Sequence, residues 1–314
     1  MTITPSHIKI RLITDADIPA AIDLLTRGHG PTHVGTVRPR SFWEQVFSCL
    51  TPRPPHSFWE QVFSCLSRRP LPTGDFPRYG YVIDSDGKLV GIMLLIFSTI
   101  WEDGNATIRC NGSSVYVEPS FRLYASPLIK KAFNYKDATH LNLTPAKYTF
   151  RMIEISGFVR YCNGVFLAIP LFSRALKDDT VRVIDVNVEP DAPFDPHERD
   201  LLVQHVDYGC KSVWCVTPER AYPFVFRVRH VKRVLPCAQL VYCRDVGDFI
   251  RFARPLGLYL ARNTGRLLVL LDANGRPPGL AGKYFPGRGV KYFRGPDRPR
   301  LCDLAYTEIS MFGV

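Results

Sequence analysis

A chain of 314 residues is long enough to bury two cores of ordinary domain size, so we expect two structural units. Its 46% hydrophobic and 22% charged residues exclude a largely disordered protein, because a disordered chain has too little apolar surface to offset its conformational entropy. The net charge of +11 favours an anionic partner, which could be a nucleotide cofactor, a nucleic acid or an acidic membrane surface.

The apolar runs and the cysteines indicate the kind of compartment. The longest apolar run, residues 90–101, is shorter than the roughly 20 residues of a membrane-spanning helix and predicts a buried strand. The first twelve residues contain no apolar signal core, so we expect a cytoplasmic protein. Nine cysteines without a Cys-x-x-Cys pair suit a reducing compartment and predict buried thiols. His29 and His33 lack a third ligand, so no metal site is expected.

The first half has clear local signals. Residues 8–13 alternate as a strand, and apolar residues at helical spacing follow Asp17, a predicted N-cap. Residues 79–97 hold two apolar runs joined by Asp86-Gly87, which predicts a hairpin. The remaining predicted elements are a strand at 115–117, a helix at 128–133, a strand at 139–143 and a helix at 150–157. Strands that alternate with helices predict an α/β architecture with a mixed sheet.

An insertion rich in Pro, Arg and Gly, residues 28–77, contains the decapeptide SFWEQVFSCL twice. The copies begin at Ser41 and Ser57 and are identical, which indicates a tandem duplication. A repeat this short cannot close a core of its own. We expect one copy to pack against the protein and the other to lie in a loop.

The second half repeats parts of the first in a different order. Residues 186–222 are similar to 115–148, because both contain Val-Glu-Pro, a loop, a helix, a strand and Thr-Pro. Residues 269–285 are similar to the hairpin at 81–97. These matches predict two related units, 1–175 and 176–314, the second with permuted order. Chance agreement between common strand and helix boundaries is the alternative.

Residues 8–165 resemble the GNAT superfamily of acyl-CoA-dependent N-acyltransferases. In the order typical of that family, Val117-Glu118-Pro119 ends the central strand. RLYASP, residues 122–127, stands where the family has its phosphate-binding loop, Arg-x-x-Gly-x-Gly or Ala. Ser156-Gly157-Phe158 closes the following helix. The resemblance implies a GNAT-like fold and transfer of an acyl group, such as acetyl, from acyl-CoA to an amine or similar acceptor.

Such a loop holds a pyrophosphate because backbone N–H groups and the positive end of a helix face the anion while an arginine neutralises its charge. Here Ala125 and Pro127 replace the glycines, and Pro127 has no N–H. The acyl-CoA contacts that the resemblance implies come from Val117, Arg122, Leu123, Tyr124, Ala125 and Ser126. The corresponding loop of the second half, residues 191–200, is acidic, so one cofactor site per chain is expected.

Acyl transfer to an amine needs a base for the amine proton and an acid for the leaving thiolate. The candidate base is Glu118, at the end of the central strand, although a carboxylate paired with Arg122 is the alternative reading. The family often has its acid, a tyrosine, where Ile153 stands here. Tyr148 is the substitute candidate, and a packing role is its alternative. A base that acts through water also remains open.

Two other functions fit parts of the sequence. A GNAT-like module without catalytic activity would explain the missing glycines. Residues 276–300 carry seven basic residues against the single acid Asp297, interleaved with aromatic residues, as in proteins that bind single-stranded nucleic acid. A solvated loop has the same composition, so nucleic acid is the less favoured partner. A small-molecule or peptide acceptor is expected, and no membrane.

Overall fold

The computed structural model describes residues 7–28, 54–102, 104–173, 181–231 and 235–313. They form two compact units. The first contains the described residues up to Asn142 together with Arg294–Asp297, and the second contains Leu143–Phe293 and the described residues from Arg298 onward. The predicted boundary between residues 175 and 176 lies inside the second unit. His29, His33 and the first decapeptide copy, residues 41–50, lie outside the described residues.

The first unit is built on strands that lie side by side in chain order. These are β1 (Ile8–Leu12), β2 (Gly80–Ser85), β3 (Lys88–Glu102), β4 (Asn105–Val117) and β5 (Ala138–Asn142). Neighbours from β1 to β4 are antiparallel, whereas β4 and β5 are parallel. Its helices are α1 (Ile18–Gly28), α2 (His56–Arg68) and α3 (Ala125–Ala132).

The predicted hairpin is confirmed, because Asp86 and Gly87 join β2 to β3 with φ angles of 51° and 84°. Two residues of positive φ are what a tight hairpin turn requires. The predicted N-cap at Asp17 is corrected. The N-cap is Thr14, which starts the 3-10 turn Asp15–Asp17 that leads into α1. The Asp17 carboxylate accepts the backbone N–H of Thr14 at 2.8 Å, as the acidic member of a capping box.

The second decapeptide copy, residues 57–66, lies within α2. The helix buries one face, made by Trp59, Val62, Phe63 and Leu66. The prediction that one copy packs is therefore confirmed for this copy. Spacings of three and four residues put these side chains on one side of a helix.

The second unit has its own sheet, in the order β12-β6-β11-β10-β9-β8-β7. The strands are β6 (Val159–Ala168), β7 (Arg182–Asp185), β8 (Lys211–Val216), β9 (Ala221–Val231), β10 (Leu235–Cys243), β11 (Leu268–Ala273) and β12 (Gly282–Arg294). The helices are α4 (Phe150–Ile155), α5 (Pro196–Asp207), α6 (Val246–Arg251), α7 (Ala253–Thr264) and α8 (Glu308–Phe312). Phe224, Phe249 and Leu256 lie in its core.

Strands β7 to β11 repeat the pairing of β1 to β5, with three antiparallel contacts followed by a parallel one. The second unit is thus related to the first, but it keeps the same order instead of the predicted permuted order. Asp272 and Gly275 are not part of a hairpin, because β6 lies between β11 and β12 and pairs with both. The counterpart of loop 122–127 is therefore the short link between β10 and α6, and not residues 191–200.

The basic segment 276–300 is largely strand β12 and not a solvated loop. Lys291 is buried, and so are the rings of Tyr292 and Phe285. These two aromatic rings are therefore not exposed for stacking on bases. None of the helices in the described part of the chain is long and apolar enough to cross a membrane. Within the same residues, no group of three His, Cys, Asp or Glu side chains is placed to hold a metal ion.

Candidate functional site

Strands β4 and β5 separate at one end of the first unit. Their parallel pairing runs from Ile108 opposite Ala138 to Asn111 opposite Leu141. Strand β5 ends one residue later, whereas β4 continues to Val117. Within the described residues no other strand pairs with that side of β4 beyond Asn111. A strand edge left without a partner strand can take an extended ligand.

A bulge in β4 coincides with this separation. Leu95 lies opposite Gly112 and Met93 opposite Val115, so β4 advances three residues while β3 advances two. A bulge turns part of the backbone out of the regular ladder. Gly112 is required for packing as well, because a Cβ there would lie 2.6 Å from the Phe133 ring. Free backbone N–H groups of a strand can polarise a carbonyl oxygen.

The chain after β4 is helical. Residues 119–124 form a 3-10 helix that runs directly into α3. The Ala125 N–H donates to the Arg122 carbonyl, so one amide of the predicted phosphate loop is bonded within the turn. Pro127 lies in the first turn of α3, where a missing N–H breaks no bond of the helix. Leu123 is 89% exposed.

The structure brings the predicted cofactor residues together. Val117, at the end of β4, is half-buried, and Ala125 is half-buried at the start of α3. The exposed members of the set are Arg122, Leu123, Tyr124 and Ser126. They form one accessible helical turn directly after β4.

Two cations that sequence reasoning missed lie beside this turn. Glu118 is paired with Arg27 (Nη2 to Oε1, 3.6 Å) and Lys88 (Nζ to Oε2, 3.8 Å). Lys130 is exposed on α3, whereas Lys131 donates to the Ile10 carbonyl at 2.9 Å. Arg27 lies in the last turn of α1 and Lys88 begins β3, so no local pattern of residues connects them to Glu118.

A buried histidine lies on β5 next to the gap. His140 is paired in register with Cys110, and its Nε2 donates to the Tyr135 carbonyl at 2.8 Å. Its Nδ1 has no hydrogen-bond partner within the described residues. Burial lowers the pKa of His140 to about 4, so the ring is neutral and Nδ1 carries a lone pair.

The candidate acid, Tyr148, is exposed. Tyr148 lies in the second unit, in the 3-10 turn Lys147–Thr149, and is 88% exposed. Ile153, at the family's tyrosine position, lies on α4. Tyr148 therefore does not have the packing role that was its alternative. Tyr148 and Glu118 belong to different units of the chain.

The second unit has the same separation and the same bulge, but here the gap is closed. Pairing of β10 with β11 ends at Gln239 opposite Leu270, and β10 carries one extra residue, Val241, relative to β9. The segment 302–304 then pairs with β10. Leu304 N–H donates to the Val241 carbonyl at 2.8 Å, and Cys243 N–H donates to the Cys302 carbonyl at 3.2 Å.

The link after β10 also differs from that after β4. The Asp245 carboxylate accepts the Gly247 N–H, so an anion already caps the start of α6. Arg244 is turned to the buried Glu198, with Nε 2.8 Å from Oε1. Arg244, the cation of this link, is therefore already paired with a carboxylate.

No family model matches the sequence, and no curated protein matches it. Several solved structures share the fold. A GCN5-related N-acetyltransferase from Anabaena variabilis ATCC 29413 matches with a TM-score of 0.52 at 9% identity, over 92% of this chain and 72% of that chain. A candidate acetyltransferase from Pyrococcus horikoshii matches with a TM-score of 0.52 at 12% identity, over 97% and 95%.

A conserved Enterococcus faecalis V583 protein of unknown function, described as a candidate N-acyltransferase, matches with a TM-score of 0.52 at 10% identity. The match covers 95% of this chain and 74% of that chain. The fold is that of the GCN5-related N-acetyltransferases. The predicted GNAT-like α/β fold is confirmed.

Proposed function

We propose that this protein is an acyltransferase that takes its acyl group from acyl-CoA, with one donor site, in the first unit. The observation that carries the proposal is the gap between β4 and β5. The bulge of β4 lies where the gap begins, and the basic helical turn follows the end of β4. The shared fold supports a general acyltransferase function. The closed gap of the second unit supports a single site.

In this proposal two places in the first unit bind different parts of the donor. The basic turn, with Arg122 and Lys130, attracts the phosphate groups. The bulged end of β4 supplies backbone N–H groups that polarise the thioester carbonyl. An amine then attacks that carbonyl, the C–N bond forms and the C–S bond breaks. The amine gives up a proton, and the leaving sulfur gains one to become free CoA.

The sequence predicts Glu118 as the base and Tyr148 as the acid, and the structure places them in different units. The change Tyr148→Phe removes the phenolic proton and little else. If Tyr148 is the acid, kcat falls about a hundredfold or more while the affinity for CoA is unchanged. An unchanged kcat would remove Tyr148 from the reaction. Water would then be the remaining proton donor, since the site of an 88% exposed side chain is open to solvent.

The first experiment is calorimetric titration of the protein with CoA. Arg122→Glu should weaken binding about tenfold or more, because it puts a negative charge where a phosphate is expected. Arg199→Glu, at an exposed position on α5, is the matched control and should leave the affinity unchanged. Equal affinities in all three proteins, or no binding at millimolar CoA, would contradict the proposed site. Release of free CoA from acetyl-CoA with a panel of amines tests turnover.

A non-catalytic GNAT-like module is the second candidate. It is favoured by the Ala125 N–H that is already bonded to the Arg122 carbonyl, and by the exposed Tyr148. Such a module would bind CoA weakly or not at all and would release no free CoA from acetyl-CoA. Binding accompanied by turnover rules it out.

A further inference from the structure

Glu118 is fixed at a position from which a base for acyl transfer would not reach the reacting atoms. From Val115, at the bulge, to Glu118 the strand advances three residues, which is about 10 Å. A general base must lie within hydrogen-bond distance of the proton it takes, or one water away. The Glu118 backbone is fixed as well, because its N–H donates to the Val90 carbonyl at 2.8 Å and its carbonyl accepts from Phe121 at 2.9 Å.

The contacts of the Glu118 carboxylate are with cations. One carboxylate oxygen lies 3.6 Å from Arg27 and the other lies 3.8 Å from Lys88. The Glu118 side chain is 21% exposed, whereas those of Arg27 and Lys88 are 57% and 68% exposed. Both cations are therefore more accessible to an incoming anion than the carboxylate that pairs with them.

Arg122 lies four residues after Glu118, in the turn where the diphosphate of acyl-CoA is expected. A diphosphate would meet these cations and the negative Glu118 together. The attraction of the cations for it is reduced both by their pairing with Glu118 and by direct repulsion from that carboxylate. Exposed pairs of this kind are weak, so an anion of higher charge can compete for them.

We propose that Glu118 is an internal anion that competes with the phosphate groups of acyl-CoA for Arg27 and Lys88. It holds the two cations in place in the free protein and limits the affinity for CoA. It is thus a residue that sets binding and product release, and not the base of the reaction. The proposal rests on the proposed function, because it concerns the same donor site.

Calorimetric titration with CoA tests the proposal on Glu118→Gln, which keeps the shape and removes the charge. The matched control is Glu60→Gln, an exposed carboxylate on α2 of the same unit that is paired with His56. Glu118→Gln should lower Kd about two- to fivefold, and the gain should shrink at high salt. Glu60→Gln should leave Kd unchanged. Arg27→Gln and Lys88→Gln should each raise it.

Steady-state kinetics separates this role from that of a base. With acetyl-CoA, Glu118→Gln should lower KM while kcat changes less than about threefold. A fall of kcat by about a hundredfold at unchanged Kd would overturn the proposal and make Glu118 the base. An unchanged Kd and KM would also overturn it. If the unaltered protein does not bind CoA at all, the proposed function itself fails, and this result is distinct from the others.

Discussion

Tyr242 and Asp303 are partners in an isolated antiparallel bridge just beyond the bulge of β10. The bridge puts the segment 302–304 along the strand edge whose counterpart on β4 has no partner strand within the described residues. Cys302 has a φ of 58°, which is unusual for a residue with a side chain, so the chain adopts a costly conformation at this contact. The second unit has thus replaced an open edge with its own polypeptide.

This replacement predicts the stoichiometry of CoA binding. Titration should give one CoA per chain, because the second gap is closed and Asp245 already caps α6. Asp248, in the first turn of α6, adds further negative charge. Arg122→Glu should lower affinity at this single site. Two molecules of CoA per chain, or full binding by Arg122→Glu, would contradict the assignment of the site to the first unit.

The fold could be predicted as far as local signals reach. Asp86-Gly87 determined its hairpin. The neighbours of each strand carry no such signal. Strand β6 lies between β11 and β12, which separates Asp272 from the hairpin that its Asp-x-Asn-Gly pattern predicted. Strand order is decided by burial across the whole sheet, and similar short motifs do not report it.

The candidate site could be predicted only in part, again because local signals do not report contacts between distant elements. Residues 122–126 follow β4 in the chain, so their common location needed no knowledge of the sheet. Arg27 and Lys88 reach Glu118 from two other elements, and no spacing in the sequence announces that contact. One signal was present but unused, since Gly112 inside a strand is typical of a bulge.

A buried ion pair in the second unit predicts a large stability effect. Lys291 Nζ lies 2.7 Å from Asp272 Oδ1, and both side chains are almost completely buried. Burial alone would lower the pKa of Lys291, but the neighbouring Asp272 carboxylate raises it above its usual value, so the Lys291 ammonium stays charged at neutral pH. Lys291→Met should cost about 3–5 kcal/mol in the free energy of unfolding, because it strands a buried carboxylate.

The double variant Asp272→Leu with Lys291→Met should recover most of that loss, since no charge is then left unpaired. The control is Arg182→Met, which removes an exposed partner of Asp191 and should change stability by less than about 1 kcal/mol. Urea denaturation measures all three. A Lys291→Met variant as stable as the unaltered protein would contradict the prediction.

Acid should destabilise the protein through His205. Its Nδ1 donates to the Leu201 carbonyl at 2.7 Å, and its Nε2 accepts the Tyr306 N–H at 3.2 Å. Burial lowers the pKa of His205 to about 4. The unfolded chain, with the ordinary value near 6.5, therefore binds more protons between these limits. Stability should fall as the pH drops from about 6.5 towards 4, by roughly 3 kcal/mol for one such histidine.

His140 has a similarly lowered pKa and adds to the same slope. Urea denaturation at pH 7 and 5.5 measures the effect before most carboxylates titrate. His205→Gln should reduce the slope, whereas His197→Gln, at an exposed position, should not. Should His205→Gln fail to fold, the ring titration of His205 followed by NMR gives the answer. A folded-state pKa near 6.5 would contradict the prediction.

Labelling of Cys302 reports whether the segment 302–304 leaves the second gap. Cys243 and Cys302 are fully buried, and burial together with the neighbouring Cys243 side chain raises the pKa of Cys302 well above its usual value. A thiol of this kind reacts slowly, because the thiolate is the nucleophile. Cys65, which is half-buried on α2, is the internal reference.

N-ethylmaleimide should label Cys302 at least about a hundredfold more slowly than Cys65, because reaction requires the segment to open. Peptide mass spectrometry gives both rates in one sample. Saturating CoA should leave the Cys302 rate unchanged, since the donor is expected in the first unit. A rate that rises with CoA would mean that CoA displaces the segment, and the second gap would then be a binding site in its own right.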